Sequence, residues 1–212
     1  MNFSDFLKYI PKIEKESLLS TEAHILMAPP ERADFIRKLS INDKKPRQAA
    51  VLMLFYPKNS QTHLVLIVRN SYPGIHSSQI AFPGGKVEPE DISIKHTALR
   101  ETHEEIGIPS DKIEIVKAFS EVYIPPSNFL VFPFLGFSVD ELNFTPDPSE
   151  VADIIELSLN DFLNEKNIVI KNMQTSYSEN IDVPAFKIQE KFVWGATAMM
   201  LSELKETIKK VI

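Results

Sequence analysis

Apolar residues recur along this chain with two periods, and the switches between them mark the elements. Phe3, Phe6, Leu7, Ile10 and Ile13 fall on one helical stripe, and Pro30 reads as the first residue of a second short helix carrying Phe35 and Ile36. The polar stretch 42–47 reads as a linker. AAVLMLFY (49–56) and HLVLIVR (63–69) are nearly continuous apolar runs around a turn-like PKNSQT, which predicts two strands in a hairpin. Continuous apolarity implies burial on both faces, hence a sheet between layers. Further strands are predicted at 113–119, 129–139, 151–157, 168–171, 184–188 and 191–194, with a short helix at 161–163. A last helix from about residue 196 sets Met200, Leu204, Ile208 and Val211 on one stripe, as core. No internal repeat interrupts this order, and the chain divides into a helical extension, 1–46, and one domain, 47–212.

Another helix follows from Ile94, Ala98, Thr102 and Ile106 on one face with Leu99 beside it. Gly107 ends it as a C′ glycine, and Pro109 blocks continuation. The flank of that face carries Arg100, Glu101, Glu104 and Glu105. Like charges three and four residues apart destabilise a helix by roughly 0.2–0.5 kcal/mol per pair, and a divalent cation between them reverses that sign. Hard carboxylate oxygens without cysteine point to Mg²⁺ or Mn²⁺ over zinc. The plainer alternative is a solvated acidic face with Arg100 paired to Glu104. Just upstream lies Phe82-Pro83-Gly84-Gly85, and three of the six glycines of the chain, Gly84, Gly85 and Gly107, fall in 81–108.

Composition narrows the partners. The chain has 212 residues, 43% apolar and 25% charged, ordinary for a globular protein with a proper core. A net charge of −6 argues against a nucleic-acid backbone as partner, but not against a phosphorylated small molecule met through bound cations. With no cysteine there are no disulfides, thiolates or zinc fingers. No run of about 18 apolar residues suggests a membrane span, and the N-terminus lacks a secretory layout, so a cytoplasmic protein is expected.

The stretch from Gly85 to Ile108 resembles the Nudix box, G-x5-E-x7-R-E-U-x-E-E-x-G-U with U a bulky apolar residue. Gly85 opens it and Arg100-Glu101-Thr102-His103-Glu104-Glu105-Ile106-Gly107-Ile108 closes it. Asp91 stands where the family has Glu, eight residues before Arg100 and not seven, and Thr102 is less apolar than usual. The extra residue is similar to what the coenzyme A pyrophosphatase branch carries, as is the Phe-Pro-Gly-Gly lead-in. Against that branch, Gly74 replaces an expected Arg and Ser78 an expected Gly.

The resemblance implies an α/β/α sandwich with a mixed central sheet. It implies a metal-dependent hydrolase of nucleoside diphosphate derivatives, coenzyme A or an acyl derivative first, with phosphopantetheine and adenosine 3′,5′-bisphosphate as products. ADP-ribose or NADH is the alternative substrate class, oxidised nucleoside triphosphates a weaker option, and a non-catalytic nucleotide-binding module the alternative of another kind. Glu101 and Glu105 become principal metal ligands with Glu104 contributing, Arg100 a positioning residue paired with Asp91, and Glu150 or a helix glutamate the general base, with Asp147 second on that later loop. Arg69, His76 and Lys86 are candidate phosphate contacts, and the Gly84-Gly85 turn lets backbone approach the metal. Solvated readings of Arg69, His76 and Lys86 stand beside these. The N-terminal stripe is read as a dimer contact, a lid over the substrate, or an extension packed on its own domain.

Overall fold

The computed structural model describes residues 1–37, 45–70, 79–173 and 180–212, the side chains of 34–37 and 173 apart. The main sheet is built on β1 (Arg47–Lys58) and β2 (Gln61–Arg69), antiparallel across the turn residues Asn59 and Ser60, both at positive φ. β1 also pairs in parallel with β7 (Phe129–Phe137), whose far edge carries β5 (Glu114–Ala118) and β6 (Val122–Ile124). β8 (Val151–Ser158) and the two-residue β3 (Ile80–Ala81) pair with β2, and β4 (Gly84–Lys86) pairs with β1. One parallel pairing among antiparallel ones makes this a mixed sheet.

The period-2 alternation of the central strands divides the core. On β1, Ala50, Leu52, Leu54 and Tyr56 pack with Val65 and Ile67 of β2 beneath α5 (Ile94–Ile106). Ala49, Met53 and Phe55, with Leu64 and Leu66, face the opposite side. There they meet α7 (Gly195–Lys209) and the N-terminal residues Phe3, Phe6 and Ile13. Both faces of β1 and β2 are therefore buried, as their unbroken apolarity requires. A separate antiparallel sheet, β9 (Ile168–Met173), β10 (Ile181–Ile188) and β11 (Lys191–Val193), leads into α7, with α6 (Leu159–Leu163) before it.

Three local outcomes differ from the pattern-based expectation. The N-terminal stripe forms two helices, α1 (Phe3–Leu7) and α2 (Ile10–Lys15), because Pro11 has no N–H to give the Leu7 carbonyl and sits in the first turn of a new helix. The Pro-Gly-Gly stretch is a strand where a turn is expected. Gly84 takes φ 151°, and a Cβ there would overlap the Ala50 carbonyl and Val51 Cα across the β1–β4 pairing. Only glycine can lie that close. The loop after residue 119 contains β6 and then a 3-10 turn, Pro125–Ser127.

α3 (Thr21–Leu26) and α4 (Pro30–Arg37) complete the N-terminal segment; the Phe35 and Ile36 side chains and most of the linker fall outside the described residues. α3 is tied to α7 through Glu203, which is 1% exposed. Its carboxylate accepts from Ser20 N–H (2.6 Å), Ser120 N–H (3.1 Å) and the Ser120 hydroxyl (2.7 Å), with His24 Nε2 at 3.4 Å. Burial opposes the charge, but the nearby His24 ring and the bonds from Ser120 outweigh it and hold the carboxyl below its ordinary range. Removing the acceptor strands several enclosed donors. Glu203→Ala is expected to cost about 3 kcal/mol in urea denaturation with an unchanged m-value; a loss under about 0.5 kcal/mol would show that the tie contributes nothing.

Candidate functional site

α5 carries the charged side chains, and its two ends fix how it lies. Ser93 caps the N-terminus, its hydroxyl accepting from His96 N–H at 3.1 Å. Gly107 ends the helix in the left-handed region, φ 75°. The apolar residues Ala98 and Ile106 turn toward β1 and are fully buried. With that face committed, Glu101 and Glu105 project beside the Gly84–Lys86 strand, while Glu104 turns outward with its side chain 56% exposed.

Glu105 is enclosed, 1% exposed. One carboxylate oxygen accepts from Gly84 N–H at 2.8 Å and the other from Arg69 at 3.2 Å. Its carboxyl is raised to about 7: burial is the largest push upward, the Gly84 N–H and Arg69 pull against it, and the charges of Glu101 and Glu150 add to the rise. Glu101 lies against Gly85 so closely that a Cβ on Gly85 would overlap its carboxylate. Its carboxyl is also raised, first by burial, against the pull of Arg100, with Glu104 and Glu150 adding repulsion. Glu150 is exposed, yet its charge is felt at both helix carboxylates, because Asn70 N–H donates to its carbonyl at 2.9 Å and joins that loop to the end of β2. Asp147 instead serves its own turn: its carboxylate accepts from Ser149 N–H at 2.7 Å.

The Glu101 and Glu105 carboxyls thus both have a raised proton affinity beside one glycine strand, an arrangement a hard divalent cation relieves. Among the described residues no three Asp, Glu, His or Cys side chains form a complete cage. Mg²⁺ is held in the same partial way, by one or two carboxylates with substrate phosphate and water completing the shell. Glu101 and Glu105 fit that role.

Arg100 does not face the open site. Its Nε and one terminal nitrogen donate to the two oxygens of Asp91 at 3.0 and 2.9 Å; the other terminal nitrogen reaches Glu101 at 2.9 Å and Glu104 at 2.7 Å. Asp91, its side chain without exposed surface, also receives the Thr97 hydroxyl (2.8 Å) and Glu88 N–H (2.9 Å) and meets His96 Nδ1 (2.9 Å). The shorter Asp and its one-residue displacement are accommodated by the loop before α5. The i,i+4 pair Arg100–Glu104 coexists with this clamp.

A cavity of about 350 Å³ opens beside the glycine strand, lined by Gly84, Gly85, Lys86 and Arg69. Among the described residues, every charged side chain lining it is cationic: Arg32, Arg69 and Lys86. Its remaining wall is mainly apolar, including Val51, Phe129 and Met200. Pattern reading does not single out Arg32, Trp194 or Thr197, which also line it. The lone Trp directly before a glycine at the start of the last helix is the signal that was available. His76, Gly74 and Ser78 lie outside the described residues.

The Asp91 carboxyl is held far below its ordinary range, first by Arg100 and then, against burial, by Glu88 N–H, Thr97 and His96. A depressed folded pKa contributes stability that is full above the unfolded value and is lost as pH falls through the folded one. Asp91→Asn is therefore expected to melt well below the parent at pH 7, with the gap narrowing below about pH 4. A gap that is constant from pH 7 to pH 3 in differential scanning calorimetry would refute this account of the clamp.

The NUDIX domain pattern matches residues 46–175. The chain is 34% identical over 171 residues to the "Uncharacterized Nudix hydrolase NudL" of Enterobacter sp. (strain 638), covering 79% of this chain and 85% of that one. It is 32% identical over 173 residues to the protein of the same name from Photorhabdus laumondii, covering 82% and 89%. Among solved structures, the Mycobacterium smegmatis Nudix hydrolase RenU ("M. Smegmatis") superposes with a TM-score of 0.54 at 14% identity, over 79% of this chain and 88% of that one. A MutT/nudix family protein from Enterococcus faecalis gives 0.54 at 17% identity, over 84% and 73%. At such identities these two speak for the fold alone. Nudix hydrolases act on nucleoside diphosphate derivatives and generally use divalent cations. On the domain match and these relatives, this chain belongs to the Nudix hydrolase family.

Proposed function

We propose that this hydrolase cleaves the diphosphate bridge of coenzyme A or an acyl-coenzyme A, releasing phosphopantetheine and adenosine 3′,5′-bisphosphate. The observation that carries the reading is the placement of two carboxylates, Glu101 and Glu105, against Gly84, Gly85 and Arg69, which line a mainly apolar cavity whose charged side chains, among the described residues, are all cationic. The cationic side chains suit the bridge, and the apolar wall suits an uncharged pantetheine arm. The Phe82-Pro83-Gly84-Gly85 lead-in supports the same substrate class.

In this reading Glu101 and Glu105, with Glu104 at the rim, hold Mg²⁺ or Mn²⁺. The cation supplies neutralisation of the phosphate oxygens and acidification of water. The chain's own residues do the rest. Gly84 and Gly85 have no side chain to hold β4 off β1 and Glu101, so the strand that lines the cavity lies directly against that carboxylate. Arg69 divides its guanidinium between Glu105 and the cavity, coupling bridge binding to carboxylate position. Lys86, exposed at the rim, adds positive charge. Glu150, exposed and sensed by both helix carboxylates, is the proposed acceptor of the water proton. Arg100 acts through Glu101, steering one of its oxygens. Residues 1–46 are taken as an extension of a hydrolase domain spanning 47–212, in the cytoplasm.

The purified protein should be given coenzyme A, acetyl-coenzyme A, ADP-ribose and NADH, each with Mg²⁺ and with Mn²⁺, and the products resolved by mass. Phosphopantetheine from coenzyme A, lost by more than about a hundred-fold in a folded Glu105→Gln variant, is the expected result. Cleavage of ADP-ribose or NADH alone would overturn the substrate and keep the hydrolase. An active Glu105→Gln would overturn the role of that carboxylate, and binding without any cleavage would favour a nucleotide-sensing module.

A further inference from the structure

α7 begins inside the cavity. Trp194, Gly195, Ala196 and Thr197 all line it, and the helix then runs through Lys209. The first N–H groups of a helix have no acceptor within it. Here no described side chain supplies one: Trp194 occupies the N-cap without a capping bond, and the first turn has no acidic residue. Gly195 takes φ 65°, a left-handed conformation suited to glycine, and a Cβ there would meet nothing within 4 Å. The backbone at the head of the helix is therefore bare toward open space.

A second observation points to what belongs there. Thr197 is 8% exposed and lines the cavity. No described residue hydrogen-bonds to its hydroxyl; the Thr102 and Thr207 hydroxyls, also in helices, each donate to a carbonyl four residues back at 2.7 Å. The side chain is almost wholly enclosed, but its oxygen is not sealed off, so it opens on the cavity and can bond to a group bound there. The helix end carries roughly half a positive charge, and the nearby charged lining, Arg32 included, is cationic. Arg32 is 6% exposed and held by donation to the Tyr123 carbonyl at 2.7 Å, so its charge is fixed at this wall.

We propose that the N-terminus of α7, with the Thr197 hydroxyl, is a second phosphate subsite that takes a phosphomonoester borne by the substrate apart from the diphosphate being cleaved. This rests on the diphosphate-hydrolase reading above and sharpens it. Coenzyme A carries such a group on its ribose, whereas ADP-ribose and NADH do not, so the subsite sorts the substrates that Arg69 and the glycine strand alone would treat alike. Mono-anionic and dianionic phosphate both suit a helix N-terminus.

The test is titration calorimetry without divalent cation, using adenosine 3′,5′-bisphosphate and adenosine 5′-monophosphate on the full chain. The wild type is expected to bind the bisphosphate at least about ten-fold more tightly. Thr197→Val, which keeps the shape and removes the hydroxyl, should shrink that ratio at least about three-fold and leave the monophosphate affinity unchanged. Thr197→Ser should keep the wild-type ratio. Equal affinities for the two nucleotides in the wild type would overturn the proposal, and that measurement needs no variant to fold. An unchanged ratio in a Thr197→Val protein that melts like the parent would overturn the role of the hydroxyl. No bond is cleaved in this assay, so its failure is separate from a failure to find phosphopantetheine among the products.

Discussion

The enclosure of Glu105 is the constraint around which the site is arranged. A carboxylate at 1% exposure must be answered at both oxygens, and here a backbone N–H and a guanidinium do so. The N–H belongs to Gly84, so β4 must lie within reach of α5. That approach forbids a side chain on the strand: a Cβ on Gly84 would strike β1, and one on Gly85 would strike Glu101. The guanidinium belongs to Arg69, so β2 must end at the same place. One buried charge therefore sets the composition of β4 and the end of β2.

The helix is held in the rotation that buries Glu105 by two unlike devices. Its apolar face is fixed by packing on β1, which leaves freedom to slide by fractions of a turn. The Arg100–Asp91 clamp removes that freedom, since a planar fork on two carboxylate oxygens has one favourable geometry. Arg100 also reaches Glu101 and Glu104, so the clamp that orients the helix partly neutralises the carboxylates it presents. Partial neutralisation matters. Full pairing would leave nothing for a cation, while none would leave enclosed carboxylates repelling one another without relief.

Much of this was legible in the sequence. The two-faced burial of β1 and β2 follows from unbroken apolar runs, and α5 with its glycine stop follows from spacing alone. The placing of Glu101, Glu104 and Glu105 along one flank follows from the packed face at Ala98, Thr102 and Ile106, whereas the outward turn of Glu104 is seen only in the structure. Other features were hidden for identifiable reasons. β4 was invisible because glycine carries no strand propensity, and its pairing is imposed by tertiary contact. The break between α1 and α2 was overridden by the weight of the stripe, although Pro11 announces it. The Arg100–Asp91 pair is implied by the motif resemblance, whereas how a shorter, displaced acid reaches Arg100 is shown only by the loop before α5. Arg32 and Thr197 carry no local pattern, since residues far apart in sequence form one cavity wall only after folding.

That wall also explains why the ends of the chain are fastened to each other. Arg32 comes from the helices before the hydrolase pattern begins, and Trp194 and Thr197 come after it ends at residue 175. The residues proposed to answer the diphosphate lie within the pattern, while Arg32, Trp194 and Thr197 on the cavity wall lie outside it. The distance between the two sides must be kept to fractions of an ångström for a rigid ligand to bridge them. Glu203 does this: one carboxylate takes N–H groups from α3's cap and from the loop before β6, and it sits on α7 two turns beyond the first. A buried, multiply bonded acid is a costly way to gain stability alone, where an apolar residue would serve. It is an effective way to fix three segments in register, and the cavity is where that register is used.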